Sequence, residues 1–324
     1  MAQLEHNHFR FHRQIVQIGC HWGEGGHTEL YLLEGDTLAL VDTGVADTPS
    51  RYVVPALAAC GYQPGEVDLI LNTHGHFDHA GGNGEMLDLA RAAGGSPRVL
   101  AHAADVRTIE DAAYQFETFF ADNDRLIGRE DHLAASLASF HRDVGRPTKV
   151  DRALADGDVL DLGKGLRLRV VSMPGHTLGS VAYYWESEGL ALVGDTVMGM
   201  GARPNGLPLV YYPEDYLRTI DRLLGLDLGV LGLGHHYRTS AVPADSVHFG
   251  PAVAAYLRAS REISETIGDA TARATAANPG ADFLTIARAA TADLSARLGF
   301  TPAADGLAAA GGVAAIAAQW RRLT

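Results

Sequence analysis

The chain has 324 residues, of which 47% are hydrophobic and 20% charged. That balance excludes a disordered or collagen-like chain and leaves room for one large or two ordinary domains with a sizeable core. Lys and Arg number 26 against 39 Asp and Glu, a net charge of −13, which argues against a nucleic acid or an anionic membrane as partner, because phosphate binding needs basic side chains.

Two cysteines, Cys20 and Cys60, are too few for a disulfide framework and are expected as reduced thiols in a cytoplasmic protein. The polar N-terminal stretch lacks the apolar core of a secretory signal. No run of about 18 apolar residues is present, so no membrane span is expected.

In chain order, residues 14–19, 28–33 and 37–41 are short β-type runs separated by glycine-rich punctuation, with Gly23-Glu24-Gly25-Gly26 as a hairpin tip. A helix is predicted over 49–60 with Thr48 as its N-cap. Residues 67–72 are almost wholly apolar and predict a buried central strand. A helix over 80–91 follows. From 103 to 146 the pattern turns helical: Leu133, Leu137, Phe140 and Val144 recur on one helix face, behind an aromatic group of Phe116, Phe119 and Phe120. Strands return at 166–172, 181–185, 190–193 and 229–233, with a helix at 214–224. Beyond 248 the chain reads as helices, with Asn278-Pro279-Gly280 as a turn. Residues 1–245 therefore read as a sheet-forming domain carrying a helical insertion at 103–146, and 246–324 as a helical extension. Its small residues suit close packing over the sheet or against a second copy in a homodimer.

The run Thr73-His74-Gly75-His76-Phe77-Asp78-His79 sets three imidazoles and a carboxylate within six residues, directly after a buried strand. Ligands bind at such strand ends in α/β folds. In an extended turn His74 and His76 point the same way and can share one metal, while Asp78 and His79 can face a neighbouring one. His176 in Pro174-Gly175-His176-Thr177, Asp195 in Gly194-Asp195-Thr196 and His235 in Gly234-His235-His236 also follow apolar strands. Together they supply what a two-metal site needs, with Asp195 able to bridge. His236 is the fallback for His235. His6, His8 and His12 read as a solvated arm.

These motifs, with Val41-Asp42-Thr43-Gly44, resemble the metallo-β-lactamase-fold hydrolase superfamily in type and order over about residues 14–240, and the glyoxalase II and lactonase branch in particular. The resemblance implies an αββα sandwich. It implies that His74, His76 and His176 hold one metal, that Asp78, His79 and His235 hold the other, and that Asp195 bridges them. Asp42 matches a carboxylate that supports the ligands from behind, or is a plain turn carboxylate. The implied cofactors are two divalent ions, zinc first, with iron or manganese as alternatives.

The implied chemistry is attack by a metal-bridging hydroxide on the carbonyl of a small ester, lactone or thioester, with Asp78 and Asp195 as catalytic carboxylates. A phosphodiesterase or an iron-dependent dioxygenase of the same fold is the alternative. The 103–146 segment reads either as a cap over the cleft or as ordinary packed helix. Trp22, Phe77, Phe119, Met198 and Tyr211 are candidates for the substrate pocket, and His21 and His27 flank the hairpin tip beside it. Met198 stands where lactonases of this kind often carry a tyrosine.

Overall fold

The structure is a computed structural model that describes residues 7–23, 25–201 and 206–324. Among the described residues, two seven-stranded sheets form the framework. The first contains β1 (His8–His12), β2 (Ile15–Trp22), β3 (Gly26–Glu34), β4 (Leu38–Val41), β5 (Leu69–Leu71), β6 (Arg98–His102) and β7 (Arg152–Leu154), in that spatial order. The first four strands pair antiparallel and the last four parallel. The second contains β8 (Val159–Asp161), β9 (Arg167–Ser172), β10 (Val181–Trp185), β11 (Leu190–Leu192), β12 (Met200–Gly201), β13 (Val230–Arg238) and β14 (Asp245–Phe249). Its order is β12-β13-β11-β10-β9-β8, with β14 also on β13.

Period-two alternation explains the layering. Along β3, Tyr31 and Leu33 point between the sheets, while Leu30 and Leu32 point outward under helices. Along β10, Val181, Tyr183 and Trp185 face the inter-sheet core, and Ala182 and Tyr184 face the other way. Helices cover both outer faces: residues around Val53–Leu57 and Met86–Ala90 on the first sheet, Tyr216–Leu223 and Val253–Leu257 on the second. This is the expected αββα sandwich. Because both faces of each sheet are covered, the strands read as apolar runs.

Several local expectations differ. Thr48 is itself helical and makes no cap; its hydroxyl accepts from the Val45 N–H. Residues 8–12 are not a solvated arm but the edge strand β1 on β2, which gives their backbone polar groups partners; His6 lies outside the described residues. β13 is longer than predicted, and β14 continues the second sheet to Phe249. The helix predicted at 80–91 splits at Gly81-Gly82 into Phe77–Ala80 and Asn83–Ala92. The 103–146 segment is a chain of short helical pieces, the longest being Leu133–Asp143.

Three helices follow β14: Pro251–Ala277, Phe283–Leu298 and Ala310–Leu323. The first begins on the second sheet through Val253, Tyr256 and Leu257, then leaves it to build a separate apolar cluster with the other two around Ile267, Ala287, Leu294 and Ile316. The last returns to the cleft side of the molecule, where Arg321 pairs with Asp122 of the insertion and Arg322 with Glu214. No helix among the described residues is long and apolar enough to cross a membrane.

Candidate metal centre

The loops after β4, β5, β9, β11 and within β13 meet at one edge of the sandwich, and each brings a ligand type with it. His74, His76, His79 and His176 are at most 2% exposed, and Asp195 is 6% exposed. His76 Nδ1 lies 2.7 Å from His176 Nε2, which lies 3.2 Å from His74 Nε2. On the other side His79 Nε2 is 3.3 Å from His235 Nε2, which is 3.3 Å from Asp78 Oδ2 and 3.2 Å from Asp195 Oδ2. Asp195 lies between the two groups, with Oδ1 3.6 Å from His79 Nε2 and Oδ2 3.8 Å from His176 Nε2.

Hydrogen bonds from behind fix which nitrogens face inward. His176 Nδ1–H donates to the Leu209 carbonyl at 2.8 Å, and His235 Nδ1–H donates to the His27 carbonyl. His79 Nδ1–H donates to Asp42 Oδ2 at 2.8 Å. The Thr73 hydroxyl donates to the same oxygen at 2.7 Å, so at 3.1 Å it accepts from His74 Nδ1–H. Each of these rings therefore turns its Nε2 toward its neighbours. The centre packs imidazole nitrogens and carboxylate oxygens against one another, and Asp195 Oδ1 and His76 Nε2 have no hydrogen-bond partner among the described residues. Acceptors packed this closely suit a cation between them, and imidazole with carboxylate is a donor set for zinc, iron or manganese. His74, His76 and His176 can form one pocket for an ion and Asp78, His79 and His235 another.

The titration behaviour divides along the same line. Burial, reinforced by neighbouring imidazoles, holds His74, His76 and His176 below the usual histidine range, so they stay neutral. Burial acts the same way on His79 and His235, but carboxylates outweigh it: Asp78, Asp195 and Asp42 move His79 up, and Asp195 and Asp78 move His235 up. Asp78 and Asp195 are correspondingly held low; burial acts upward on both, but His79 and His235 outweigh it.

Asp42 is more than a turn carboxylate. It accepts from the Thr73 N–H at 2.7 Å and from the Thr73 hydroxyl as well as from His79, and it adopts φ +60°, rare outside glycine. Such a carboxylate orients a ligand imidazole from behind.

A model of the metallo-beta-lactamase superfamily matches residues 24–235. The chain belongs to the metallo-β-lactamase superfamily. A hydroxyacylglutathione hydrolase of Maricaulis maris (strain MCS10) is 28% identical over 185 residues, covering 57% of this chain and 53% of that protein. An acyl-coenzyme A thioesterase of Bos taurus is 31% identical over 174 residues, covering 53% of this chain and 56% of that protein. The chain thus spans little more than half the length of these curated relatives. A crystal structure of a metallo-beta-lactamase family protein from Thermus thermophilus aligns with TM-score 0.68 at 24% identity, covering 97% of this chain and 94% of that one.

The superfamily motif glycines are needed for clearance. A Cβ on Gly234 would sit 2.6 Å from His79 Cε1 and 2.7 Å from Asp195 Oδ1. One on Gly194 would sit 2.2 Å from the Thr73 hydroxyl that buttresses His74.

The candidate pocket residues converge on two adjoining hollows. A cleft of about 810 Å³ runs past Asp78, Asp195 and His235 and is also lined by Trp22 and Met198. An aromatic hollow of about 420 Å³ beside it holds Trp22, Phe77, Phe119, Phe120 and Tyr211. The Phe119 ring meets that of His76 at 4.6 Å and that of Tyr211 at 5.0 Å, so part of the 103–146 segment walls the centre. Leu133 and Leu137 pack as ordinary helix, whereas Phe140 of that helix and Phe116 also line the aromatic hollow. Val313 of the last helix also lines the aromatic hollow, a contribution that the sequence reading missed.

It also missed Asp105. This carboxylate is 2% exposed and accepts from Gly75 N–H at 2.8 Å, Gly179 N–H at 2.9 Å and the Thr177 hydroxyl at 2.7 Å. It ties the His74–His79 loop to the His176 loop. The available signal was an acidic residue just past the C-terminal end of β6, the end where its neighbour β5 delivers the histidines.

Proposed function

We propose that this chain is a metal-dependent hydrolase with a dinuclear centre, and that it cleaves a small acyl thioester, with related esters and lactones as secondary substrates. The observation that carries the proposal is the cluster of facing imidazole and carboxylate acceptors at the floor of a cleft. In this reading His74, His76 and His176 hold one divalent ion, Asp78, His79 and His235 hold a second, and Asp195 is shared. Zinc is the proposed ion, since neutral imidazoles with carboxylates in a rigid buried cage suit it. Two such ions would supply an activated water at neutral pH and polarise the attacked carbonyl.

The remaining work falls to the chain itself. Asp42, Leu209 and His27 hold three of the rings that must turn Nε2 forward, and the Thr73 hydroxyl holds the fourth, His74. Asp78, whose side chain is 16% exposed at the cleft, is placed to pass a proton out to solvent, while the more deeply set Asp195 spans both groups. Trp22, Phe77, Phe119 and Tyr211 would hold an apolar acyl portion and keep bulk water from it. Met198 also lines the cleft. The thioester preference is supported by the relatives, one of which is an acyl-coenzyme A thioesterase. The net charge of −13 disfavours a nucleic-acid phosphodiester.

The test is acid release from a panel of acyl thioesters, lactones, carboxyl esters and bis-nitrophenyl phosphate, before and after chelation and zinc restoration. Chelator-sensitive turnover of the thioesters is expected. Cleavage of the phosphodiester alone would overturn the acyl assignment.

A further inference from the structure

The hydrolase reading uses His235 and leaves the adjoining His236 without a role. It also leaves the two histidines beside the hairpin tip, His21 and His27, outside the metal centre. In the structure His236 does not point at the centre. Its Nε2 lies 2.9 Å from Glu29 Oε1, and His27 Nε2 lies 3.3 Å from the same oxygen. His27 and Glu29 stand two residues apart on one face of β3, and His236 reaches them from β13 of the other sheet. One donor atom from each of the three lies within 4.8 Å of the others.

This group is incompletely satisfied. The Glu29 side chain is 3% exposed, yet its Oε2 has no hydrogen-bond partner among the described residues, and neither has His27 Nδ1. An ion pair with His236 accounts for one carboxylate oxygen and leaves the second buried and bare, which is costly. There is also room. Gly19 is the cross-strand partner of Glu29, and a Cβ there would come within 3.4 Å of His27 Nε2 and 3.5 Å of both Glu29 oxygens. The missing side chain leaves the space in front of the donors free.

We propose that His27, Glu29 and His236 form a further site for a divalent cation of the zinc class, separate from the centre built on His76 and Asp195. Two imidazoles and a carboxylate are a known three-ligand zinc set that leaves a fourth position open. Bonds of about 2.0–2.1 Å in a tetrahedron put ligand atoms about 3.3 Å apart, close to the separations found here. His27 and His236 line the same cleft as Asp78 and Asp195.

Metal content decides the matter. Wild type, Glu29→Gln, His236→Ala and His76→Ala are stripped with chelator, equilibrated with excess zinc, freed of unbound metal and counted by mass spectrometry, with circular dichroism as the folding check. Wild type is expected to hold one equivalent more than both Glu29→Gln and His236→Ala. His76→Ala is expected to lose metal from the other centre while still losing one further equivalent when combined with His236→Ala. Equal counts in wild type and His236→Ala overturn the proposal, and they do so even if Glu29→Gln fails to fold, because His236 is half-exposed and tolerant of truncation. Failure of the hydrolase reading would appear instead as an unchanged count in His76→Ala.

Discussion

Asp42→Asn is the sharpest probe of how the centre is held. Asparagine matches aspartate in size and tolerates the left-handed backbone at φ +60°, so the main chain need not move. The hydrogen bonds cannot all survive. Asp42 Oδ1 accepts the Thr73 N–H, and Oδ2 accepts both the Thr73 hydroxyl and His79 Nδ1–H. If the new amide nitrogen takes the Oδ1 position, it faces the Thr73 N–H, and a buried donor is left unmade at about 1–3 kcal/mol. If it takes the Oδ2 position, it donates to His79 Nδ1, which puts the ring proton on Nε2 and removes the lone pair that faces Asp195 and His235. Loss of such a supporting contact weakens metal binding by about 10–100-fold, or about 1.4–2.8 kcal/mol. Competition against a zinc chelator should find one of the two proposed ions weakened by that factor in the variant, while the ion proposed for His74, His76 and His176 changes less. Equal affinities for both ions in wild type and variant would refute the reasoning.

Protons should compete unequally for the two ions. His79 and His235 are raised by Asp78 and Asp195, so in metal-free protein they bind protons more readily than the other three rings, an incoming ion must displace more of them, and affinity there rises with pH until the raised pKa is passed. His74, His76 and His176 are lowered by burial and already neutral, so calorimetry in buffers of different ionisation enthalpy should find proton release for one ion and little for the other. Equal release for both would contradict this. Phe119→Ala removes a buried ring against His76, and its denaturant midpoint should fall by the equivalent of about 3–5 kcal/mol, with KM rising most for long acyl chains; a stable variant with unaltered chain-length preference would remove Phe119 from the pocket. Gly234→Ala drives a methyl into His79 and Asp195, so zinc content should drop although the fold persists. Arg321→Ala breaks only an exposed ion pair with Asp122 and should cost no more than about 1 kcal/mol on urea unfolding.

The αββα layering was legible through the family resemblance that the motifs carry, while apolar runs such as those of β3 and β10 by themselves read only as strands. The candidate ligand set was legible because His74, His76, Asp78 and His79 are adjacent in the chain and because His176, Asp195 and His235 each follow an apolar run and a glycine. What escaped were features made by partners distant in sequence. β1, β6, β7, β8 and β12 are short and owe their existence to a neighbouring strand. Asp105 gains its role only when the fold brings Gly75 and Thr177 to it from different loops. The last helix looked like a separate appendage because nothing local in an alanine-rich stretch says that Val313 borders the aromatic hollow. His236 was legible only as a spare for His235; the β3 carboxylate that it meets is 207 residues away.

The most direct test of the hydrolase assignment is a zinc titration of chelator-stripped protein with continuous recording of acyl-thioester hydrolysis, run beside His76→Ala. Turnover should be absent without metal, rise with added zinc and stay absent in the variant at every loading. Hydrolysis by metal-free protein, or an undiminished rate in His76→Ala, would contradict a reaction run on this centre.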